Sequence, residues 1–188
     1  MTVSLRLGPL LRHAGTTSAT VWVETDAPCR VRVRVDGHMT SSVETFTVHG
    51  HHYAVCEVSG LEPGSALPYE IFLDEDRVWP EPHSPFPPSV LRTVDPHAPT
   101  HLLYGSCYVP IGDAPEGVVH HGPDMLRATA RRLAGEEVEG NLTLLLIGDQ
   151  VYADELREPM RAFLRRAREN SQDDAPEGEV VRYDEYAE

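Results

Sequence analysis

The stretch CRVRVRVDG, Cys29 to Gly37, alternates arginine with valine from Arg30 to Val35 and then reads Asp-Gly. A period of two puts the valines on one face of an extended strand and the arginines on the other, and Asp36-Gly37 suits the left-handed backbone of a tight hairpin. One face is therefore expected to be wet and one packed. The pattern extends outward. TSATVWVETD places Ala19, Val21 and Val23 together, and HHYAVCEVSGL sets Ala54, Cys56 and Val58 against Tyr53, Val55 and Glu57. Leu61-Glu62-Pro63-Gly64 marks a corner before the next strand, PYEIFLD.

About seven short strands, with turn signals roughly every 8 to 12 residues, predict for residues 1–94 a β-sandwich of immunoglobulin or fibronectin type III kind. Trp22 is the expected residue between its sheets. LEPGSALPY resembles the fibronectin type III corner, whose tyrosine would stand at Leu67, with Tyr69 two residues later. His49, His51 and His52 read as a surface turn. Cys29, Cys56 and Cys107 are too few and scattered for a disulfide framework or a closed four-ligand zinc site. Cys29 and Cys56 could face each other across the early sheet, but free, packed thiols are expected.

From Trp79 to Pro99 the chain carries prolines at 80, 82, 85, 87, 88, 96 and 99, which forbid continuous helix or central strand. This connector places a domain boundary near residue 95. Beyond it, HLLYGSC is a short apolar strand and Asp124 to Leu133 is helical, with Met125, Leu126, Thr129 and Leu133 on one stripe. Asn141 to Ile147 is a second strand. Glu155 to Glu169 is a second helix, capped by Asp154, with Leu156, Met160, Phe163 and Leu164 inward and Arg157, Arg161, Arg165, Arg166 and Arg168 on a solvated face. The order β-α-β-α implies parallel strands and a right-handed crossover. His120-His121 read as loop, and no structure is assigned to most of the charged tail SQDDAPEGEVVRYDEYAE. Two strands leave an open edge and uncovered apolar surface, so residues 95–188 are expected to be the truncated start of an α/β domain that continues in a longer protein or is completed by a partner.

Composition narrows the function. The net charge is −14, from 16 basic residues, all arginine, against 30 acidic ones, which argues against nucleic-acid and membrane binding. A phosphate-bearing substrate would then need local positive charge, which metal ions can supply. No apolar run reaches the roughly 20 residues of a membrane span and no secretory signal is read, so the expected location is cytoplasmic.

Ligands of open α/β sheets bind beyond the carboxyl ends of the strands. There the first strand runs into Gly105-Ser106-Cys107-Tyr108 and the second into Gly148-Asp149-Gln150-Val151-Tyr152. Neighbouring strands about 4.8 Å apart would bring Cys107 and Asp149 to one ligand. Thiolate, carboxylate and phenolate converging on one point need a cation among them. Sulfur and phenolate donors suit a strongly polarising ion such as ferric iron, while a carboxylate can bridge to a harder one.

GSCYVP, GDQVYADE and the preceding sandwich together resemble the alkaline phosphatase D (PhoD-like) branch of the metallophosphoesterases. The resemblance implies a fibronectin-like domain followed by a metal-dependent phosphoester hydrolase domain, with Cys107, Asp149 and Tyr152 ligating iron and Asp149 bridging to a second metal, commonly calcium. The substrate would be a phosphomonoester or phosphodiester. The family's later ligands have no counterpart in these 188 residues, so the chain is expected to be inactive by itself. No catalytic acid or base is assigned. The rival expectation is a non-catalytic binding or accessory module in which the sandwich engages a protein or glycan. A nucleotide-binding strand is disfavoured, because no Gly-rich loop with the required spacing follows Tyr104-Gly105.

Overall fold

A computed structural model of the chain describes residues 2–84, 89–108, 122–136, 139–154, 156–169, 175–176 and 178–186. The chain divides into two units, Met1–His101 with Leu133–Thr143, and Leu102–Arg132 with Leu144–Glu188.

The first unit is a sandwich of antiparallel sheets. Its strands are β1 (Leu5–Ala14), β2 (Ser18–Thr25), β3 (Arg30–Val35), β4 (His38–Glu44), β5 (Phe46–Val48), β6 (His51–Ser59), β7 (Ala66–Leu73), β8 (Asp76–Trp79) and β9 (Val90–Arg92). One sheet has the order β1-β2-β6-β5, and the other the order β4-β3-β7-β8 with β9 paired to β7. The Asp36-Gly37 turn has the expected positive φ values of 47° and 79°. A second turn of this kind, His49-Gly50, joins β5 to β6 at 49° and 86°.

The period-two reading holds in the core. Ala19, Val21, Val23, Ala54, Cys56 and Val58 from the first sheet pack with Val31, Val33, Ile71 and Leu73 from the second. The arginines of β3 take the outer face, where the Arg34 guanidinium lies 4.5 Å and that of Arg32 5.6 Å from the Phe72 ring centroid. These guanidinium groups lie over the phenyl ring, and Arg32 and Arg34 also pair with Glu75 and Glu70.

Two residues of the first sheet differ from expectation. Trp22 is not between the sheets: with Val21 and Val23 inward, parity sends it to the outer face, where it stacks on Tyr53 at 5.8 Å. His51 is buried rather than at the surface, and its Nδ1 lies 2.7 Å from Oε1 of buried Glu24. A carboxylate removed from water needs such a partner. Register aligns Leu10, Trp22 and Val55 in one row across this outer face and Leu7, Glu24, Tyr53 and Phe46 in the next. Leu7, Leu10, Phe46 and Val55 remain exposed.

β10 (Thr100–Gly105) pairs with β11 (Asn141–Leu146). Asn141 N donates to Pro99 O at the start and Ile147 N to Gly105 O at the end, so the strands run in the same direction. Asn141 also fixes the backbone of Asp95 at both ends of its amide, 2.9 Å from Asp95 N and 2.8 Å from Asp95 O. Gly140 before it has φ of 88°, and a Cβ there would strike Pro99 O. Leu142 and Leu144 to Ile147 are all exposed, as a short sheet with uncovered faces requires.

α1 (Met125–Gly135), whose residues up to Arg132 belong to the second unit, is capped by Asp124, whose Oδ1 accepts from Arg127 N at 2.8 Å. Leu126, Thr129 and Leu133 are its half-buried stripe, while Met125 is exposed. α2 (Glu158–Arg168) starts later than expected, with Arg157 at its N-cap and Pro159 in its first turn. Asp154 is therefore not its cap, and Glu155 lies outside the described residues. Leu164 is buried, and Met160 and Phe163 are half-buried.

The tail carries a further turn of helix, α3 (Tyr183–Tyr186), and a buried ion pair. Glu185, 1 % exposed, accepts from Arg168 Nε at 2.6 Å and Nη2 at 2.7 Å, and from Arg182 Nη2 at 3.0 Å. Arg168 is thus not part of a solvated face. The Arg168 bonds hold the Glu185 carboxyl down at about 2 from an ordinary 4.5, with burial opposing and the backbone N–H groups of Val181 and Arg182 assisting. Among the described residues, no helix is long and apolar enough to cross a membrane.

Two outcomes follow from this packing. Ile71→Ala, at a fully buried core position, lowers unfolding stability by about 2–5 kcal/mol, whereas Val55→Thr on the outer face changes it by less than about 0.5 kcal/mol. Denaturant titration followed by fluorescence checks both, since Trp22 and Trp79 both report on the sandwich unit. For Glu185, a depressed folded-state value means stabilisation that is complete above 4.5 and lost as pH falls toward about 2. Amide protection of residues 178–186 should fall through that window, after correction for intrinsic exchange, and Glu185→Gln should abolish the dependence.

Candidate functional site

The parallel pairing continues past the formal strand ends. Cys107 N donates to Gly148 O at 3.1 Å and Tyr108 N to Asp149 O at 2.8 Å, so the two segments that follow β10 and β11 are stitched together residue by residue. That ladder brings Cys107 Sγ to 3.6 Å from Asp149 Oδ2. Ser106 Oγ lies 3.1 Å from the same sulfur.

Both residues sit in the left-handed backbone region, Cys107 at φ 60° and Asp149 at φ 49°. Aspartate tolerates that region and cysteine does so poorly. A strained conformation of this kind costs about 1–3 kcal/mol and is concentrated at functional sites. Two such residues facing each other across adjacent strand tips form the most unusual backbone feature of the second unit.

Beside them lies a cavity of about 540 Å³, a size that holds small ligands. One wall is apolar, with Leu103, Leu144 and Leu146 from the strands and Met125 and Leu126 from α1. Its lining also includes the polar or ionisable Cys107, Tyr108, Asp124, Gln150 and Tyr152. Tyr108 donates its hydroxyl to Asp124 Oδ2 at 3.3 Å. Burial pushes the Tyr108 phenol up, the Asp124 carboxylate adds to that, and Arg157 and Arg127 pull weakly the other way.

The three residues expected to act together are thus placed as follows. Cys107 and Asp149 are in contact, and half-buried Tyr152 lines the same cavity as Cys107. Metal–thiolate bonds of about 2.3 Å and metal–carboxylate bonds of about 2.0–2.2 Å span more than the 3.6 Å between these donors, so both can reach one ion. The donor chemistry fits a cation. Among the described residues, no group of three or more histidine, cysteine, aspartate or glutamate side chains could hold a metal ion. His120-His121 lie outside the described residues.

The sequence reading did not single out Tyr108 and Asp124. Tyr108 follows Cys107 directly and Asp124 opens a helix, so the signal was the polar cluster at the strand end together with a cap residue pointing back to it.

The remaining cysteines behave differently. Cys29 and Cys56 are buried and free, and Cys107 is exposed and free. Burial raises the Cys29 thiol and pushes that of Cys56 up to about 11.

Comparison with known proteins adds one match. A family model described as a domain of unknown function (DUF7800) covers residues 2–91, the span of the sandwich. No curated protein and no solved structure matches the chain.

The thiol environments make a direct expectation. At pH 8, a disulfide reagent such as 5,5′-dithiobis(2-nitrobenzoate) should label one cysteine per folded chain rapidly and the other two only after denaturation. Cys107→Ser should remove the rapid phase; rapid labelling of all three would contradict the burial of Cys29 and Cys56.

Proposed function

We propose that the second unit carries part of the metal site of a PhoD-like phosphoester hydrolase, with Cys107, Asp149 and Tyr152 as ligands of iron and Asp149 shared with a second ion such as calcium. The observation that carries this reading is the 3.6 Å approach of Cys107 Sγ to Asp149 Oδ2 at the tips of two parallel strands, with both residues in left-handed backbone. Anionic donors held this close repel one another unless a cation or a proton lies between them.

When bound, the ions supply the positive charge that a chain of net charge −14 lacks, polarising the phosphoryl group and activating water. The protein's own part is positioning. Backbone bonds at both strand tips fix the main chain of Cys107 and Asp149 side by side, which narrows the space their side chains can reach. The apolar wall of Leu103, Leu144, Leu146, Met125 and Leu126 receives the organic part of the ester and keeps bulk water from it. Tyr108, tied to Asp124, and Gln150 offer polar groups in the same cavity. The sandwich is then an N-terminal domain of fibronectin type III or immunoglobulin kind, and the enzyme a cytoplasmic one.

A second reading, a non-catalytic binding module, is favoured by the exposed apolar rows on the outer face of the first sheet, where Leu7, Leu10, Phe46 and Val55 surround Trp22 and Tyr53. The two readings differ over metal. Protein prepared with iron and calcium and without chelator should retain iron near one equivalent and show a visible charge-transfer band. Cys107→Ala should lower the iron content at least tenfold, and Tyr152→Phe should shift or remove the band. Asp149→Asn should cut hydrolysis of an aryl phosphodiester by any longer form of the protein at least 100-fold. Absence of retained metal in the unaltered chain, or undiminished hydrolysis after Asp149→Asn, would leave the binding module as the better account.

A further inference from the structure

We propose that the Arg168–Glu185 ion pair is a positioning lock for the loop that carries Tyr152, a role outside the ligand set and one that rests on the reading of Cys107, Asp149 and Tyr152 as one site. The connection runs through a single peptide unit. Arg168 Nη2 donates to Glu179 O at 2.8 Å, and on the other side of that peptide Val180 N donates to Ala153 O at 2.9 Å. Ala153 directly follows Tyr152.

The lock is built to be rigid. Arg168 places Nε and Nη2 on the two oxygens of Glu185 and Nη1 on Pro176 O, so its planar fork reads a carboxylate and two main-chain carbonyls at once. Glu185 in turn gathers the backbone N–H groups of Val181 at 3.2 Å and Arg182 at 3.3 Å as well as the Arg182 side chain. Glu185 and Arg168 are 1 % and 13 % exposed, so little water competes for them. Breaking such a pair by removing one partner leaves a buried charge uncompensated.

α3 is four residues long, far below the length at which a helix persists unaided. In the loop it reaches, Val151 and Asp154 are exposed, and Gln150 bonds back to Gly148 O two residues away. Release of the lock therefore frees the Val180 donor and lets the backbone at Ala153 relax, moving the phenol of Tyr152 relative to the stitched Cys107–Asp149 pair. Arg168 and Glu185 act through that loop, as positioning residues without contact to substrate.

Hydrogen exchange followed by mass spectrometry on the 188-residue chain tests this without recourse to activity. Glu185→Gln should speed exchange in residues 150–154 by about tenfold, and Arg168→Lys by less, while β2 and β6 of the sandwich keep their protection. Variants that free residues 178–186 but leave 150–154 unchanged would overturn the proposal. Should Glu185→Gln also strip α1 and α2, the milder Arg168→Lys decides: faster exchange in the loop with α2 intact supports the lock, and an unchanged loop refutes it. Iron retention by the same proteins separates the two ideas. A loop that loosens in a chain that never takes up iron keeps the lock and removes the phosphoesterase reading. An unmoved loop in a chain that does retain iron removes the lock alone.

Discussion

Two backbone hydrogen bonds beyond the end of a two-stranded parallel ladder hold the candidate site of this protein together. Cys107 to Gly148 and Tyr108 to Asp149 extend the β10–β11 pairing into what would otherwise be two independent loops. Main-chain donors and acceptors of the two segments pair with each other, which sets the backbones of Cys107 and Asp149 side by side. The sheet itself is small, and its leucine-rich strand β11 remains exposed, so the ladder rather than a deep core fixes the strand tips.

The sandwich obeys a different economy. Its two sheets bury alternate residues against one another, and the outward positions are free to vary in character. On the second sheet they are arginines over Phe72, with Glu70 pairing to Arg34 and Arg77. On the first they are aromatic and aliphatic, interrupted by the Glu24–His51 pair. The same backbone pattern thus yields one salt-laced face and one apolar face, which is why the binding-module reading attaches to the first.

Much of this was legible in the sequence because it depends on local periodicity. The alternation in RVRVRV and in Tyr53–Val58 gave the core faces, and the β-α-β order placed Cys107 beside Asp149. What was not legible required a partner distant in sequence or a conflict between two local rules. Trp22 was drawn to the core by its size, yet parity with Val21 and Val23 decides its side. His51 read as surface because its partner Glu24 lies 27 residues away on another strand. Glu185 sat in a tail whose composition forecasts no structure, and only the fold shows that Arg168, 17 residues earlier, withdraws it from solvent. The start of α2 was misplaced for a local reason: Pro159 marks a first helical turn more strongly than Asp154 marks a cap.

The left-handed backbone at Cys107 bears on how this chain can change over time. Glycine would occupy φ 60° there without penalty, so replacing the cysteine should make the folded state more robust rather than less. At Asp149 the balance is gentler, since aspartate and asparagine both enter this region readily, and exchange between them leaves the main chain at ease while altering its charge. The two positions therefore differ in what a substitution does to the main chain: at Cys107 a smaller residue relieves strain, and at Asp149 an asparagine keeps the backbone at ease while removing the anion.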